Sequence, residues 1–191
     1  MKENYLSQLD EHIAVMNMSR SLADQVATVG QRWIDALKSG GKILLMGNGG
    51  SAADAQHIAA ELVGRYLVER KGLPSIALTT DTSILTAVGN DYGYEAIFSR
   101  QVEALARPQD IVVGYSTSGN SANVCAAMNV AKAMGCHTVA LTGESGGKLL
   151  AVVDECIRVP SPSTPRIQEV HAFVGHMLCA MVDDAFTPEA V

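Results

Sequence analysis

The chain has 191 residues, 48% hydrophobic and 18% charged, which excludes general disorder and leaves room for one good core but not two large domains. The net charge of −6 argues against nucleic acid as the main ligand, because that affinity comes largely from Lys and Arg on phosphates. No apolar run reaches the roughly 18 residues that a bilayer crossing needs, so no membrane association is expected.

In chain order, Met1–Lys2–Glu3–Asn4–Tyr5 lacks the charged-then-apolar pattern of a signal peptide, and a cytoplasmic location is expected. Leu6 to Lys38 reads as helix, in two segments, with Leu22, Val26, Val29, Trp33, Ile34 and Leu37 at helical spacing. Trp33 is expected in the core or an interface. Gly40–Gly41 ends this section. Five short apolar runs follow: Ile43–Met46, Ser75–Leu78, Ile111–Gly114, Thr138–Leu141 and Cys156–Val159. Each is too short for a helix, and four of the five lack clean alternation, as strands covered on both faces do. Alternation of such runs with longer helical patterns implies a three-layer, doubly wound α/β fold, with a five-stranded parallel sheet between helices. A last helix is expected from about Arg166 to Ala185, after the breaker-rich stretch Pro160–Pro165. The chain thus reads as a single domain over 1–191, with an N-terminal helical segment over 1–38 and an α/β core over 40–186. Cys125, Cys136, Cys156 and Cys179 lie among apolar residues without a C-x-x-C pair and read as reduced thiols.

Polar and glycine residues collect just after the strands. The first run is followed by Gly47–Asn48–Gly49–Gly50–Ser51, the third by Ser116–Thr117–Ser118–Gly119–Asn120–Ser121, and the fourth by Thr142–Gly147. In open α/β sheets ligands bind at the carboxyl ends of strands where the strand order reverses. In a flavodoxin-like order, 2-1-3-4-5, strands one and three are neighbours at that reversal, and their loops face one crevice. Small residues let the backbone approach a phosphate closely, and Ser and Thr hydroxyls add donors without bulk. The Ser116–Ser121 loop also opens a helix, starting near Asn120, whose free N–H groups favour an anion. Taken alone, the same loop also reads as an N-cap and turn cluster. It has neither the Gly-Lys-Ser/Thr of a Walker loop nor a dinucleotide fingerprint.

The helix after the first strand places His57 and Glu61 four apart, on one face. Imidazole and carboxylate at that spacing suit a metal ion, and equally a plain surface hydrogen bond. The final helix supplies Gln168, His171 and His176. Gln168 and His176 are separated by roughly 12 Å along a helix, too far to share one ion from one copy. Either Gln168 precedes the helix proper or the ligands come from different subunits, and an oligomer with interfacial sites is the expectation. His12 and His137 read as a surface and a strand-edge histidine. Arg65 suits a phosphate or a helix end equally.

The run from Gly47 through Ser51 to His57, with Glu61 and Arg65 following, resembles the phosphoheptose isomerases of the sugar isomerase (SIS) domain class. So do Val88–Asp91, Ser116–Ser121, and the run from Pro165 to His171 with His176. The similarity runs from about Gly40 to Phe186, in order and at compatible spacing; the earlier residues match only as helices. It implies conversion of sedoheptulose 7-phosphate to D-glycero-D-manno-heptose 7-phosphate, the first step toward activated heptose for lipopolysaccharide core or capsule. It implies one zinc per subunit on His57, Glu61, Gln168 and His176. It places substrate on Asn48, Gly49, Gly50, Ser51, Glu61, Asn90, Asp91, Ser116, Thr117, Ser118, Ser121 and Gln168. It casts Glu61 and His176 as the acid–base pair and implies a homotetramer. Two other readings compete. A non-catalytic SIS protein that binds the replication initiator is expected to lack the acidic residue at 61 and the histidine at 176. A phosphosugar-sensing regulator needs a DNA-binding domain for which there is no room.

Overall fold

Strands β1 (Ile43–Met46), β2 (Ser75–Ala77), β3 (Ile111–Ser116), β4 (His137–Thr142) and β5 (Glu155–Arg158) form one parallel sheet in the order β2-β1-β3-β4-β5. The computed structural model describes residues 1–187, so the last four residues of the expected domain lie outside the described ones. The expected order is the observed one, and β1 and β3 meet at the reversal, with Ile43 opposite Ile111 and Met46 opposite Gly114.

The apolar runs hide a period of two. Ile43 and Leu45 point into one core with Trp33, Ile58 and Leu178, while Leu44 and Met46 point into another with Phe98, Val124 and Met128. Both faces are covered by helices, so hydrophobicity alone does not alternate. One layer holds α2 (Ala23–Lys38), α3 (Gly50–Val63) and α7 (Thr164–Phe186); the other holds α5 (Ser99–Leu105) and α6 (Ala122–Ala133). Trp33 is wholly buried, which resolves its placement in favour of the core.

The N-terminal helical segment divides as expected, although α1 (Lys2–Met18) begins four residues earlier than Leu6, and a short 3-10 turn at Ser19–Leu22 joins it to α2. Only Val15 of α1 is buried, while Tyr5, Leu6, Leu9 and Ile13 remain exposed. The helix α4 (Thr82–Tyr92) has no buried residue at all. The final helix starts at Thr164 rather than Arg166, because Pro165 suits the first helical turn, where its missing N–H leaves nothing unpaired. The four cysteines are free, three of them buried. His12 bridges α1 to α7 through Glu169 at 2.7 Å, and His137 opens β4 beside Glu155 at 3.1 Å.

Helices α3 and α7 run side by side in the same direction. Gly50 faces Gln168 and Gly175 faces Ile58; a Cβ on either glycine would meet the opposite side chain within 2.6 Å. His57 faces His176 at the same depth as the second pair. This seam sets the spacing between the groups that α3 and α7 carry.

Candidate active site

Three loops gather at the carboxyl ends of β1, β3 and β4. In the first, Gly49 has φ +57 and starts α3, a conformation that favours glycine. Asn48 is locked by an amide pair with Asn123 of α6, at 2.9 and 2.8 Å, and accepts a further bond from the Tyr94 hydroxyl at 3.2 Å. Ser51 is buried beneath the turn.

In the second loop the Ser116 and Ser121 hydroxyls meet at 2.8 Å, and Ser118 Oγ accepts from the Asn120 amide at 3.1 Å. The helix α6 opens at Ala122, with Ser121 rather than Asn120 in the capping position. Of its first-turn amides, that of Val124 donates to Asn123 Oδ1 at 2.9 Å, while those of Ala122 and Asn123 precede the first intrahelical bond and suit an anion. Thr117 faces the third loop, its carbonyl accepting from the Gly143 amide at 2.9 Å. The third loop also donates from Leu149 N to Gly119 O at 3.0 Å and from Lys148 N to Asn120 Oδ1 at 3.0 Å. Gly119 has φ +67, and a Cβ there would collide with the Gly146 carbonyl. The loop after β4 is therefore a brace for the Ser/Thr loop.

Asn90 and Asp91 sit at the end of α4, exposed and bonded to each other at 2.8 Å. Tyr94, just beyond them, ties that region to Asn48.

Further down α3, His57 Nε2 lies 3.1 Å from Glu61 Oε1 and 3.4 Å from His176 Nε2. One ligand atom from each of the three falls within 4.8 Å of the others. Two imidazole nitrogens on a tetrahedral zinc, each about 2.1 Å from it, stand about 3.4 Å apart. The donor set and its spacing fit a zinc ion.

Gln168 lies within α7, its amide against Gly50, so it does not precede the helix. Of the two arrangements left open by the spacing, only the one with separate subunits remains for a four-ligand set. The same rise applies to the whole site. Glu61 is eleven residues beyond Gly50 on α3, about 16 Å along its axis. Within one subunit the phosphate-type loops and the His/Glu cluster occupy different ends of the α3/α7 seam. The loops after β1 and β3 do gather at one crevice, as expected, with the His/Glu cluster further along α3.

Between these ends lies a buried polar layer. His171 donates from Nε2 to the Thr142 carbonyl at 3.2 Å, and burial pushes its pKa down to about 4, so it is neutral at pH 7. Burial likewise raises the Asp54 carboxyl, with His57 opposing, and raises the Tyr115 hydroxyl.

Several residues of this site escape sequence reasoning. Asn123 had a signal: it shares the buried stripe of Ala127 and Ala131 on α6, where a polar residue demands a partner. Tyr66, stacked on His176 with centroids 5.2 Å apart, lies in a loop with no periodicity to flag it.

The SIS domain family model matches residues 4–143, so this doubly wound sheet with a Ser/Thr loop at its reversal is a sugar isomerase domain. A phosphoheptose isomerase from Geotalea daltonii is 56% identical over 184 residues, covering 96% of each chain. The phosphoheptose isomerase structure from Neisseria gonorrhoeae superposes with a TM-score of 0.91 at 44% identity, over 96% of this chain and 98% of that one. That from Francisella tularensis gives 0.93 at 37% identity, over 95% and 97%. The chain belongs to the phosphoheptose isomerases, a family of aldose–ketose isomerases.

Proposed function

We propose that the chain converts sedoheptulose 7-phosphate to D-glycero-D-manno-heptose 7-phosphate, as a cytoplasmic step toward activated heptose for lipopolysaccharide core or capsule. The observation that carries this reading is the His57–Glu61–His176 cluster, in a chain that also carries an anion-suited Ser/Thr loop. The initiator-binding alternative is disfavoured, because the acidic residue at 61 and the histidine at 176 are both present and adjacent to His57.

In this reading Ser116, Thr117, Ser118 and Ser121 hold the phosphate with the first-turn amides of α6. Asn48, Gly49, Gly50, Ser51, Asn90, Asp91 and Gln168 orient the sugar. Moving a carbonyl from C2 to C1 requires removal of a proton beside it and redelivery to the neighbouring carbon. Glu61 turns Oε1 toward His57, leaving Oε2 to take and return that proton. His176 would move the proton between the sugar oxygens through Nδ1, since its Nε2 is turned toward His57. His57, Glu61, Gln168 and His176 would hold one zinc per subunit, which when bound supplies polarisation of the carbonyl and relief of enediolate charge.

The reading requires an oligomer, and we take it to be a homotetramer. Support comes from the separation of the two half-sites, from α4 with no buried residue, and from the exposed apolar face of α1. A groove of about 530 Å³ between the α1–α2 junction and α7, lined by Met16, Leu22, Val26, Phe173, Met177 and Met181, adds to it. Among the described residues no helix is long and apolar enough to cross a membrane. The deciding experiment is turnover of sedoheptulose 7-phosphate by the purified chain, with chelator and then with zinc restored. Absence of turnover under both conditions overturns the reading.

A further inference from the structure

The connection between α3 and β2 is tied down by one buried ion pair. Arg70 and Asp183 have side chains 0% and 2% exposed, and Arg70 Nε donates to Asp183 Oδ1 at 2.6 Å. The other Asp183 oxygen accepts from the Leu67 and Val68 amides at 2.8 and 3.0 Å. The rest of the Arg70 guanidinium donates to the carbonyls of Glu61, Leu62 and Lys71, at 3.0, 2.9 and 3.2 Å. Glu61 and Leu62 lie in the last turn of α3, whose carbonyls have no intrahelical partner. A buried guanidinium thus caps the turn that carries Glu61, and the carboxylate it pairs with belongs to the helix that carries His176.

Tyr66 immediately precedes the amides held by Asp183. Its ring lies on the His176 imidazole, 5.2 Å between centroids and 18° from parallel. The opposite constraint on that imidazole is the edge contact with His57, at 85°. His176 is therefore held by a flat aromatic face from the 64–70 segment and by His57 from α3.

We infer that Tyr66 is a positioning residue for His176: its ring sets the plane of the imidazole so that Nε2 meets His57 and Glu61, and the Arg70–Asp183 pair holds Tyr66 in place. This rests on the reading of His176 as a reacting group and metal ligand. The tyrosine acts through the face of its ring, not through its hydroxyl, so phenylalanine replaces it and an aliphatic residue does not.

The test compares Tyr66→Phe, Tyr66→Leu and His176→Gln in the full-length oligomer. Tyr66→Phe keeps kcat within about twofold. Tyr66→Leu lowers kcat by about tenfold or more with KM changed less than about twofold, and weakens zinc retention against a competing chelator by about tenfold, the lower end of what loss of a ligand-orienting partner costs. Equal loss in the Phe and Leu variants overturns the inference, because the hydroxyl is then the active part. Wild-type kcat and zinc retention in Tyr66→Leu, alongside loss in His176→Gln, overturns Tyr66 alone. Full activity in His176→Gln overturns the underlying role of His176, and that of Tyr66 with it.

Discussion

The Nε2 atoms of His57 and His176 stand 3.4 Å apart, with their rings at 85°. Two neutral imidazoles at this distance make one hydrogen bond, one ring donating and the other accepting. The zinc proposed for this site would take both nitrogens as ligands in place of that bond. The protein is expected to retain about one zinc per subunit after dialysis, and His176→Ala to lose it, while the far-UV spectrum stays unchanged. Metal analysis of the two proteins decides this; equal zinc in both removes His176 from the ligand set.

Glu61→Gln keeps the shape of the side chain and removes the base. Turnover is expected to fall by about 10²-fold or more, while sugar-phosphate affinity measured by calorimetry changes little. Rates near those of the parent protein would assign the proton transfer to another group.

Gly119 bears the loop most directly. An alanine there adds a Cβ at φ +67 against the Gly146 carbonyl. The strain is about 1–3 kcal/mol if the loop holds its shape, and the loop relieves it by moving away from its brace. Gly119→Ala is expected to raise KM by about tenfold, and a KM unchanged in steady-state kinetics would show that the two loops part without consequence.

Glu61→Gln and Gly119→Ala damage opposite ends of the α3/α7 seam. If each complete site draws its ends from two subunits, a mixed oligomer contains some sites with neither defect. At equal proportions about a quarter of the sites are intact. Assayed at substrate well below the parent KM, where both variants are slow, co-refolding the two is expected to restore activity toward that fraction of the parent level; activity no higher than the sum of the separate variants indicates sites complete within one subunit.

His171 is buried and neutral, with its pKa pushed from 6.5 to about 4 by burial, against a raising contribution from its bond to Thr142. The unfolded chain takes up a proton near pH 6.5 and the folded one does not until about pH 4. Stability from this group is therefore full above about pH 6.5 and falls by about 3 kcal/mol as pH drops to about 4. In denaturant titrations His171→Gln is expected to flatten that part of the pH profile. An identical slope in both proteins would mean that His171 is charged in the folded state.

Much of this was legible because the relevant residues are close in sequence. The strand runs and the Ser116–Ser121 loop follow from short-range patterns, and so does the His57/Glu61 pair at one helical turn, whereas the sheet order comes from analogy with flavodoxin-like folds. The adjacency of His57 and His176 was not legible in spacing, since 119 positions separate them and the packing of Gly175 on Ile58 and of Gly50 on Gln168 brings their helices together. The loop after β4 carried a glycine signal without a meaning; its role as a brace appears only in the bonds it makes to Gly119 and Asn120. The separation along the helices was half legible. The rise per residue already set Gln168 and His176 apart if both lay in one helix, and Gly50 and Glu61 obey the same arithmetic on α3.

One rod, α7, carries Gln168 at one end and His176 two turns further on. In an assembly with shared sites, each such rod serves two sugars at once. A sugar that shifts Gln168 on binding shifts the acid of the adjoining site as well, because a packed helix moves as a unit. In such an assembly the two sites that share a helix would be mechanically linked through it.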